Sequence, residues 1–226
     1  MRAMQYINFI LDPKNDYLGQ TIEYLKLCGV AIAIAIVIGV VLGALVSRNA
    51  FLAFLAINLS GLMRAIPIIA ILLIFVPIFG LGFLPAAIAL IVLGIPPILL
   101  NTYTGIRIID PATINAAKGM GMTTWQIVSR IQAPLVLPLV AAGVRTSAVQ
   151  VVATATLAGF IGAGGYGDYI VDGINVLNYT ELVVGAVSVA VLAIIVEVFM
   201  SWLQRTLTSE GLKLQDQAIQ VAPARA

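Results

Sequence analysis

Asp110-Pro111-Ala112-Thr113-Ile114-Asn115-Ala116-Ala117-Lys118-Gly119-Met120-Gly121-Met122-Thr123-Thr124-Trp125-Gln126-Ile127-Val128 is the centre of the longest hydrophilic stretch between apolar runs, residues 101–134. Asp110 suits a helix N-cap, because its carboxylate accepts from an otherwise unpaired N–H of the first turn. Pro111 suits the first helical position, where no N–H is needed. The helix is predicted to run to about Lys118 and stop at Gly119, whose freedom at positive φ suits a C-cap. Thr123 then caps a second short helix carrying Trp125, Ile127, Val128 and Ile131. Two short helices joined by a glycine turn make a compact knob, and a long loop with structure of its own is usually functional. A knob of this shape fits a groove on a partner; a loop lying on lipid headgroups is the alternative.

The surroundings of this segment are of another kind. The chain has 226 residues, of which 61% are hydrophobic and 10% charged, and its mean hydropathy is +1.08. Soluble domains carry roughly 25% charged residues. Here 12 basic and 10 acidic residues are too few for a water-facing surface, and their near balance provides no basic field for nucleic acid. A cytosolic enzyme and a disordered tail are excluded as well. With no histidine and a single cysteine, Cys28, neither a disulfide framework nor a His/Cys metal site can form. The composition is that of an integral membrane protein.

Charge spacing counts the spans. Residues 27–46 hold no charge and no proline, enough for about 30 Å of helix at roughly 1.5 Å per residue. Between Arg64 and Arg107 lie 42 uncharged residues, about twice the length of one span. Pro77, Gly80, Gly82 and Pro85 place a turn near their middle. One span is therefore expected to end near Phe79, a second to cover 84–100, a third 136–161 and a last 182–203. With 27–46 the count is five. Gly39 and Gly43 form a Gly-x-x-x-Gly pair that lets another helix approach closely.

Lysine and arginine placement orients the bundle. With the N-terminus outside, the inner segments hold Arg48, then Arg107, Lys118 and Arg130, then Arg205, Lys213 and Arg225, and Arg145 sits at the inner end of the fourth span. The connections at 80–83 and 162–180 carry no lysine or arginine. In the N-terminal segment Arg2, Lys14 and Lys26 are offset by Asp12, Asp16 and Glu23. The expected organisation is one membrane domain over 1–226. It comprises an external segment 1–26, a cytoplasmic loop 101–134 and a cytoplasmic tail 204–226. Residues 1–26 show no apolar core followed by a cleavage site, so the first span is read as a retained anchor.

Other features bound the chemistry. The four lysines are followed by Asn15, Leu27, Gly119 and Leu214, so no phosphate-binding Gly-Lys-Ser/Thr loop exists. Gly162-Ala163-Gly164-Gly165-Tyr166-Gly167 matches the dinucleotide fingerprint, but that motif needs a preceding strand and here follows a span. Its glycines are read as the exit of the fourth span, with Asp168 and Asp172 facing water and the loop able to contact an external binding protein. Arg64 either lines a solute path or snorkels to headgroups, and Glu197 either pairs with a basic residue or reaches the interface beside the anchor Trp202. No dense aromatic cluster is evident to cage a quaternary ammonium. A small homo-oligomeric channel, conducting without an ATPase, is the alternative from another class.

The knob resembles the cytoplasmic EAA loop of ABC-importer permeases: Glu-Ala-Ala, three residues, Gly, nine residues, Ile-x-Leu-Pro. Ala116-Ala117, Gly121, Ile131 and Pro134 fall at that spacing, while Asn115 replaces the usual glutamate and Ala133 the usual leucine. The resemblance implies an all-α polytopic permease of the type I ABC importer fold, in a bacterial or archaeal cell (inner) membrane. It further implies that Asn115, Ala116, Ala117, Lys118, Gly119, Met120, Gly121 and Met122 form a coupling helix docking into an ATP-binding subunit. That subunit pair would bind ATP and Mg, leaving this chain with no cofactor and no catalysis of its own. A second permease copy or paralogue and an extracytoplasmic binding protein complete the implied partners; nucleic acid is not among them. Arg64-Ala65-Ile66-Pro67, Gly82-Phe83-Leu84-Pro85-Ala86, Asn101-Thr102-Tyr103-Thr104-Gly105-Ile106, Ala142-Gly143-Val144-Arg145-Thr146 and 155–165 resemble the osmoprotectant branch, which handles glycine betaine, carnitine and choline. The alternative is another small solute such as an amino acid. Arg64, Pro67, Thr154 and Thr156 are the residues assigned to a substrate path.

Overall fold

The computed structural model describes residues 2–207, and within them the chain is helical throughout. Helices α1 (Arg2–Leu11), α2 (Tyr17–Val46), α3 (Ala50–Ala65), α4 (Ile68–Phe79) and α5 (Phe83–Arg107) precede the knob. The knob holds α6 (Pro111–Gly119) and α7 (Thr124–Ile127); α8 (Ala133–Thr154), α9 (Tyr166–Asn175) and α10 (Tyr179–Leu207) follow. Among the described residues four continuous helical stretches are long and apolar enough to cross a membrane: 13–46, 83–107, 124–161 and 179–207. The pair α3 and α4 makes a fifth if counted as one broken span. The fold is that of a multi-pass membrane protein. Of the expected tail 204–226, residues 208–226 lie outside the described residues.

Two boundaries differ from expectation for identifiable reasons. Helix α2 starts at Tyr17, well before the apolar run, because the Asp16 side chain accepts from Gly19 N–H and caps a polar first turn. The span expected to end near Phe79 is broken: α3 and α4 meet at 91°. Pro67 supplies no N–H and pushes the preceding residue out of the helical region; Ile66 accordingly sits at φ −76°, ψ 123°. With 16 and 12 residues, the two halves reach only about 24 and 18 Å at ~1.5 Å per residue. Neither alone crosses a hydrocarbon core of about 30 Å.

Helix α5 is the axis of the bundle, flanked by α2 running parallel to it and α8 running antiparallel. Lipid tails provide no hydrophobic drive for helices to associate, so close backbone approach and interhelical hydrogen bonds take that role. The Gly39/Gly43 pair serves it: a Cβ on Gly39 would lie 2.8 Å from Ile98 Cβ, and one on Gly43 would lie 2.6 Å from Thr102 Cβ. On the other side of α5, a Cβ on Gly143 would meet the Pro97 carbonyl at 2.8 Å. The buried Ser147 hydroxyl there donates to the Gly94 carbonyl at 2.9 Å. Tyr24, fully buried, donates its phenol to the Val152 carbonyl at 2.6 Å, tying α2 to the end of α8. Gly82 N–H bonds the Ile161 carbonyl at 2.8 Å and closes the turn between α4 and α5 over the same end.

The two ends of the bundle differ in charge. Among the described residues, Arg48, Arg107, Lys118, Arg130 and Arg205 lie at the end that carries α6, with Asp110 as the acidic residue there. At the opposite end, around α9, Asp12, Asp16, Glu23, Asp168, Asp172 and Glu181 outnumber Lys14 and Lys26.

Candidate functional site

The knob is built from caps. Asp110 accepts from Ala112 N–H at 2.8 Å and Pro111 occupies the first turn of α6. The helix does not end at Gly119 as a left-handed cap, contrary to expectation; it runs through Gly119 and is capped by Met120. Gly121 is the residue at positive φ, 77°. Its N–H bonds Lys118 O at 2.9 Å, and the next N–H, of Met122, reaches back to Ala117 O at 3.1 Å. This crossed pair is a Schellman motif, and it needs a residue that tolerates left-handed backbone. Thr123 then opens α7 with a reciprocal capping box: Gln126 N–H donates to Thr123 Oγ1 at 3.3 Å, and Thr123 N–H donates to Gln126 Oε1 at 2.8 Å.

The caps hold a surface rather than a core. Asn115, Ala116, Lys118, Gly119, Met120 and Gly121 are exposed, Met122 is half-buried, and Ala117 is buried beneath them. Met120 is 74% and Trp125 76% exposed. A rigid knob ending in two uncovered apolar side chains, with Lys118 beside them, has the chemistry of an insert into a partly apolar, acidic groove. After α7 the helix widens to a π turn over Val128–Gln132, where Ala133 N–H bonds Val128 O. Pro134 supplies no N–H to a regular α turn at this point. Helix α8 therefore grows directly out of the knob, with no break between them.

The residues assigned to a solute path are distributed along the bundle. Arg64 is exposed in the last turn of α3, and Pro67 is exposed at the break before α4. Thr154 ends α8 and Thr156 is the second residue of the 3-10 turn Ala155–Ile161; both are half-buried, and Thr156 Oγ1 donates to Ala153 O at 3.1 Å. This turn packs on α4, whereas α3 packs on α5 and α2, so Arg64 is not gathered to the two threonines.

A polar group that the sequence presented only as separate charges lies further along α8. Arg145 pairs with Glu197 of α10: Nε donates to Oε1 at 2.9 Å, a terminal nitrogen reaches the same oxygen, and the other donates to Gln204 Oε1 at 3.4 Å. Both side chains remain partly open, 35% and 39% exposed. They line a cavity of about 510 Å³ with Thr146, Gln150 and Ala153. Residues 142, 146, 149, 150 and 153 fall on one side of α8 at helical spacing, so the cavity follows one stripe of the helix, on which Thr146 and Gln150 are the polar members beside Arg145. Thr146 and Gln150 within an apolar span were the signal for this stripe. The partner of Arg145 lies 52 residues away, beyond the reach of any local pattern.

At the opposite end the structure corrects the reading that no dense aromatic cluster is present. Tyr17, Tyr24, Tyr166, Tyr169 and Phe9 meet: Tyr24 and Tyr166 have ring centroids 5.0 Å apart, Tyr17 and Tyr166 5.7 Å, and Phe9 meets Tyr169 edge-on at 5.5 Å. Their hydroxyls are shared out, Tyr17 with Ser188 at 2.8 Å and Tyr166 with Thr21 at 2.9 Å. The rings pack on one another, so the cluster docks α9 on α2. The glycine run 162–165 forms the turn into α9 after a 3-10 segment, with no strand before it. Gly165 N–H bonds Gln20 Oε1, and its own Cβ would strike Tyr24. These glycines serve helix docking. Burial, with Asp172 and Glu23 adding repulsion, pushes the Asp168 carboxyl up to about 6. Burial likewise pushes the Tyr169 phenol up to about 12.

Comparison with known proteins agrees with this architecture. Residues 35–209 match the family described as binding-protein-dependent transport system inner membrane component. The glycine betaine/carnitine/choline transport system permease protein OpuCB of Bacillus subtilis is 36% identical over 209 residues, 92% of this chain and 96% of that protein. The osmoprotectant import permease protein OsmW of Salmonella typhimurium is 34% identical over 215 residues, 93% of this chain and all of that protein. Among solved structures, an inward-facing conformation of the MetNI methionine ABC transporter superposes with a TM-score of 0.76 at 24% identity, over 88% of this chain and 99% of that one. This last likeness is one of fold.

Proposed function

Because this chain belongs to the binding-protein-dependent transport system inner membrane components, the permease subunits of ABC importers, we propose that it forms the path for a small polar osmoprotectant. Its substrate class would be that of glycine betaine, carnitine and choline. As a permease subunit it is not itself catalytic, and ATP hydrolysis resides in a separate subunit. The observation that carries the substrate class is end-to-end likeness to osmoprotectant permeases, 36% and 34% identical over more than nine-tenths of this chain. An amino acid is the second reading, favoured by the fold shared with a methionine transporter.

The geometry supports a division of labour. The Schellman-capped knob at 111–128 would dock in an ATP-binding subunit, with Met120 and Trp125 as its apolar contacts. The polar stripe of α8 is unsuited to lipid, since polar groups in a span face a bundle interior or a water-filled cavity. A second permease, identical or paralogous, would cover this face and enclose a path between the two. ATP binding would draw the two ATPases together and move both knobs. Because α8 is continuous with the knob, its tilt would open the path to an external binding protein at the α9 end. The excess of Lys and Arg at the α6 end supports placing that end in the cytoplasm.

The reading is tested by reconstituting the chain with its ATPase and binding protein in proteoliposomes. ATP-dependent uptake of glycine betaine, carnitine or choline is the expected result, lost on deletion of 112–122. Uptake of methionine but none of the three osmolytes would refute the substrate class, and uptake surviving the deletion would refute the coupling role. Orientation is read by introducing Met120→Cys or Asn178→Cys and labelling cells with a membrane-impermeant thiol reagent. Only the second site should react.

A further inference from the structure

We propose that Arg145 and Glu197 form a zwitterion-binding subsite on the translocation path, Arg145 taking the carboxylate and Glu197 the ammonium group. The inference rests on the importer function proposed above and adds a resting place for the solute within this chain. Glu197 lies ten residues before Leu207, the end of α10, about 15 Å in from the α6 end at ~1.5 Å per residue. Two opposite charges at that depth, each over one-third exposed, are not covered by the chain's own helices. Turned to lipid they would be costly, whereas turned to a water-filled path they are stable and accessible.

The size and chemistry fit a small solute. A cavity of about 510 Å³ falls within the usual range for small-molecule sites, about 300–1,000 Å³. Its polar lining is Arg145, Thr146, Gln150, Glu197 and Gln204, and it contains no aromatic ring. A quaternary ammonium held here would be held by charge rather than by a ring face. Arg145 meets Glu197 through the single oxygen Oε1, not through the two-oxygen fork that makes guanidinium–carboxylate pairs strongest. Such a pair is open to exchange.

Charge balance sets the selectivity. When a zwitterion enters, its carboxylate replaces Glu197 beside Arg145 and its ammonium replaces Arg145 beside Glu197, so every charge remains paired. A lone cation such as choline would neutralise Glu197 but leave Arg145 without a partner, forgoing the charge pairing that a zwitterion keeps. A lone anion would strand Glu197. The subsite therefore prefers glycine betaine and carnitine to choline.

The test uses the complete importer, permeases with ATPases in nanodiscs, without binding protein. Radiolabelled glycine betaine is expected to bind saturably and to be displaced by carnitine, with choline and propionate each about tenfold weaker as competitors. Arg145→Gln and Glu197→Gln should each weaken glycine betaine binding about thirtyfold and should shift competition in opposite directions. Arg145→Gln favours choline, and Glu197→Gln favours propionate. A structural brace would not produce opposite shifts. Arg145→Lys keeps the charge and is expected to retain binding, and co-elution of permease with ATPase reports assembly of each variant. Absence of saturable binding to the unaltered importer, equal competition by choline and carnitine, or identical competition profiles in the two glutamine variants would overturn the subsite. Uptake of glycine betaine without binding would refute the subsite alone; binding without uptake would refute the transport reading alone.

Discussion

Gly119 and Gly121 offer a controlled perturbation of the knob, because they differ in one respect. A Cβ on either would meet nothing within 4 Å, so neither substitution creates a clash. Gly119 is a residue of α6, while Gly121 holds φ at 77°. Alanine at 119, the last residue of the helix, should stabilise it by at most about 0.8–1 kcal/mol, the glycine-to-alanine difference in a helix interior. Alanine at 121 must adopt left-handed backbone, which costs about 1–2 kcal/mol. The strain can be relieved only by giving up the bonds from Met122 N–H to Ala117 O and from Gly121 N–H to Lys118 O, which would swing Met120 and Trp125 out of register. If docking requires the capped form, 1–2 kcal/mol weakens the ATPase–permease complex by roughly five- to thirtyfold.

The assay is titration of a labelled ATPase subunit onto the permease in nanodiscs, with coupled uptake measured on the same preparation. Gly121→Ala should weaken docking, Gly119→Ala should match or exceed the unaltered protein, and Gly121→Asn should fall between, since asparagine tolerates the left-handed region better than alanine. Equal docking by Gly121→Ala and the unaltered protein would refute the claim that the cap presents the knob. Equal weakening by both alanine variants would show that helix flexibility, not the cap, is what docking requires.

Three further expectations concern the bundle. Gly43→Ala places a methyl 2.6 Å from Thr102 Cβ and 2.8 Å from Leu99 O, so overpacking of about 1–3 kcal/mol should lower the thermal midpoint; Gly29→Ala, in open space on the same helix, should raise it. Tyr24→Phe removes the donor from the Val152 carbonyl and should destabilise by about 1–3 kcal/mol, measured as a fall in midpoint at a fixed scan rate. Asp168, raised to about 6 against an ordinary value near ~4, binds its proton more tightly in the folded chain than in the unfolded one. Its favourable contribution is complete below about pH 4 and is lost as pH rises through about 6. The midpoint gap between Asp168→Asn and the unaltered protein should therefore widen in favour of the variant from pH 4 to above 6 and then level off, and a pH-independent gap would exclude the carboxylate as its source.

The contrast between what was legible in the sequence and what was not follows the range of the forces involved. Asp110, Pro111 and Thr123 declare their caps within three residues, because the N–H groups they satisfy belong to the turn that follows. Long apolar runs declare spans because hydrocarbon thickness is a length. The break at Pro67 was written in the sequence but hidden by hydropathy, which sums side-chain cost and takes no account of a missing N–H. Gly119 and Gly121 look alike as letters; which one turns left-handed depends on Ala117 being buried under the knob, with Met122 reaching back to its carbonyl. Tyr17, Tyr24, Tyr166 and Tyr169 fall in two groups about 145 positions apart, and Arg145 finds Glu197 across 52; only the packing of α2, α8, α9 and α10 joins them. This difference in range also separates the two halves of the candidate site. The knob is a local object whose caps must be correct before any partner arrives, so short motifs encode it. The polar cavity exists only where two spans meet, and its charges are held by their opposition across that meeting. A chain with 22 charges in 226 residues that sets two of them against each other inside its spans, uncovered, has placed them where a solute with both charges can take their place.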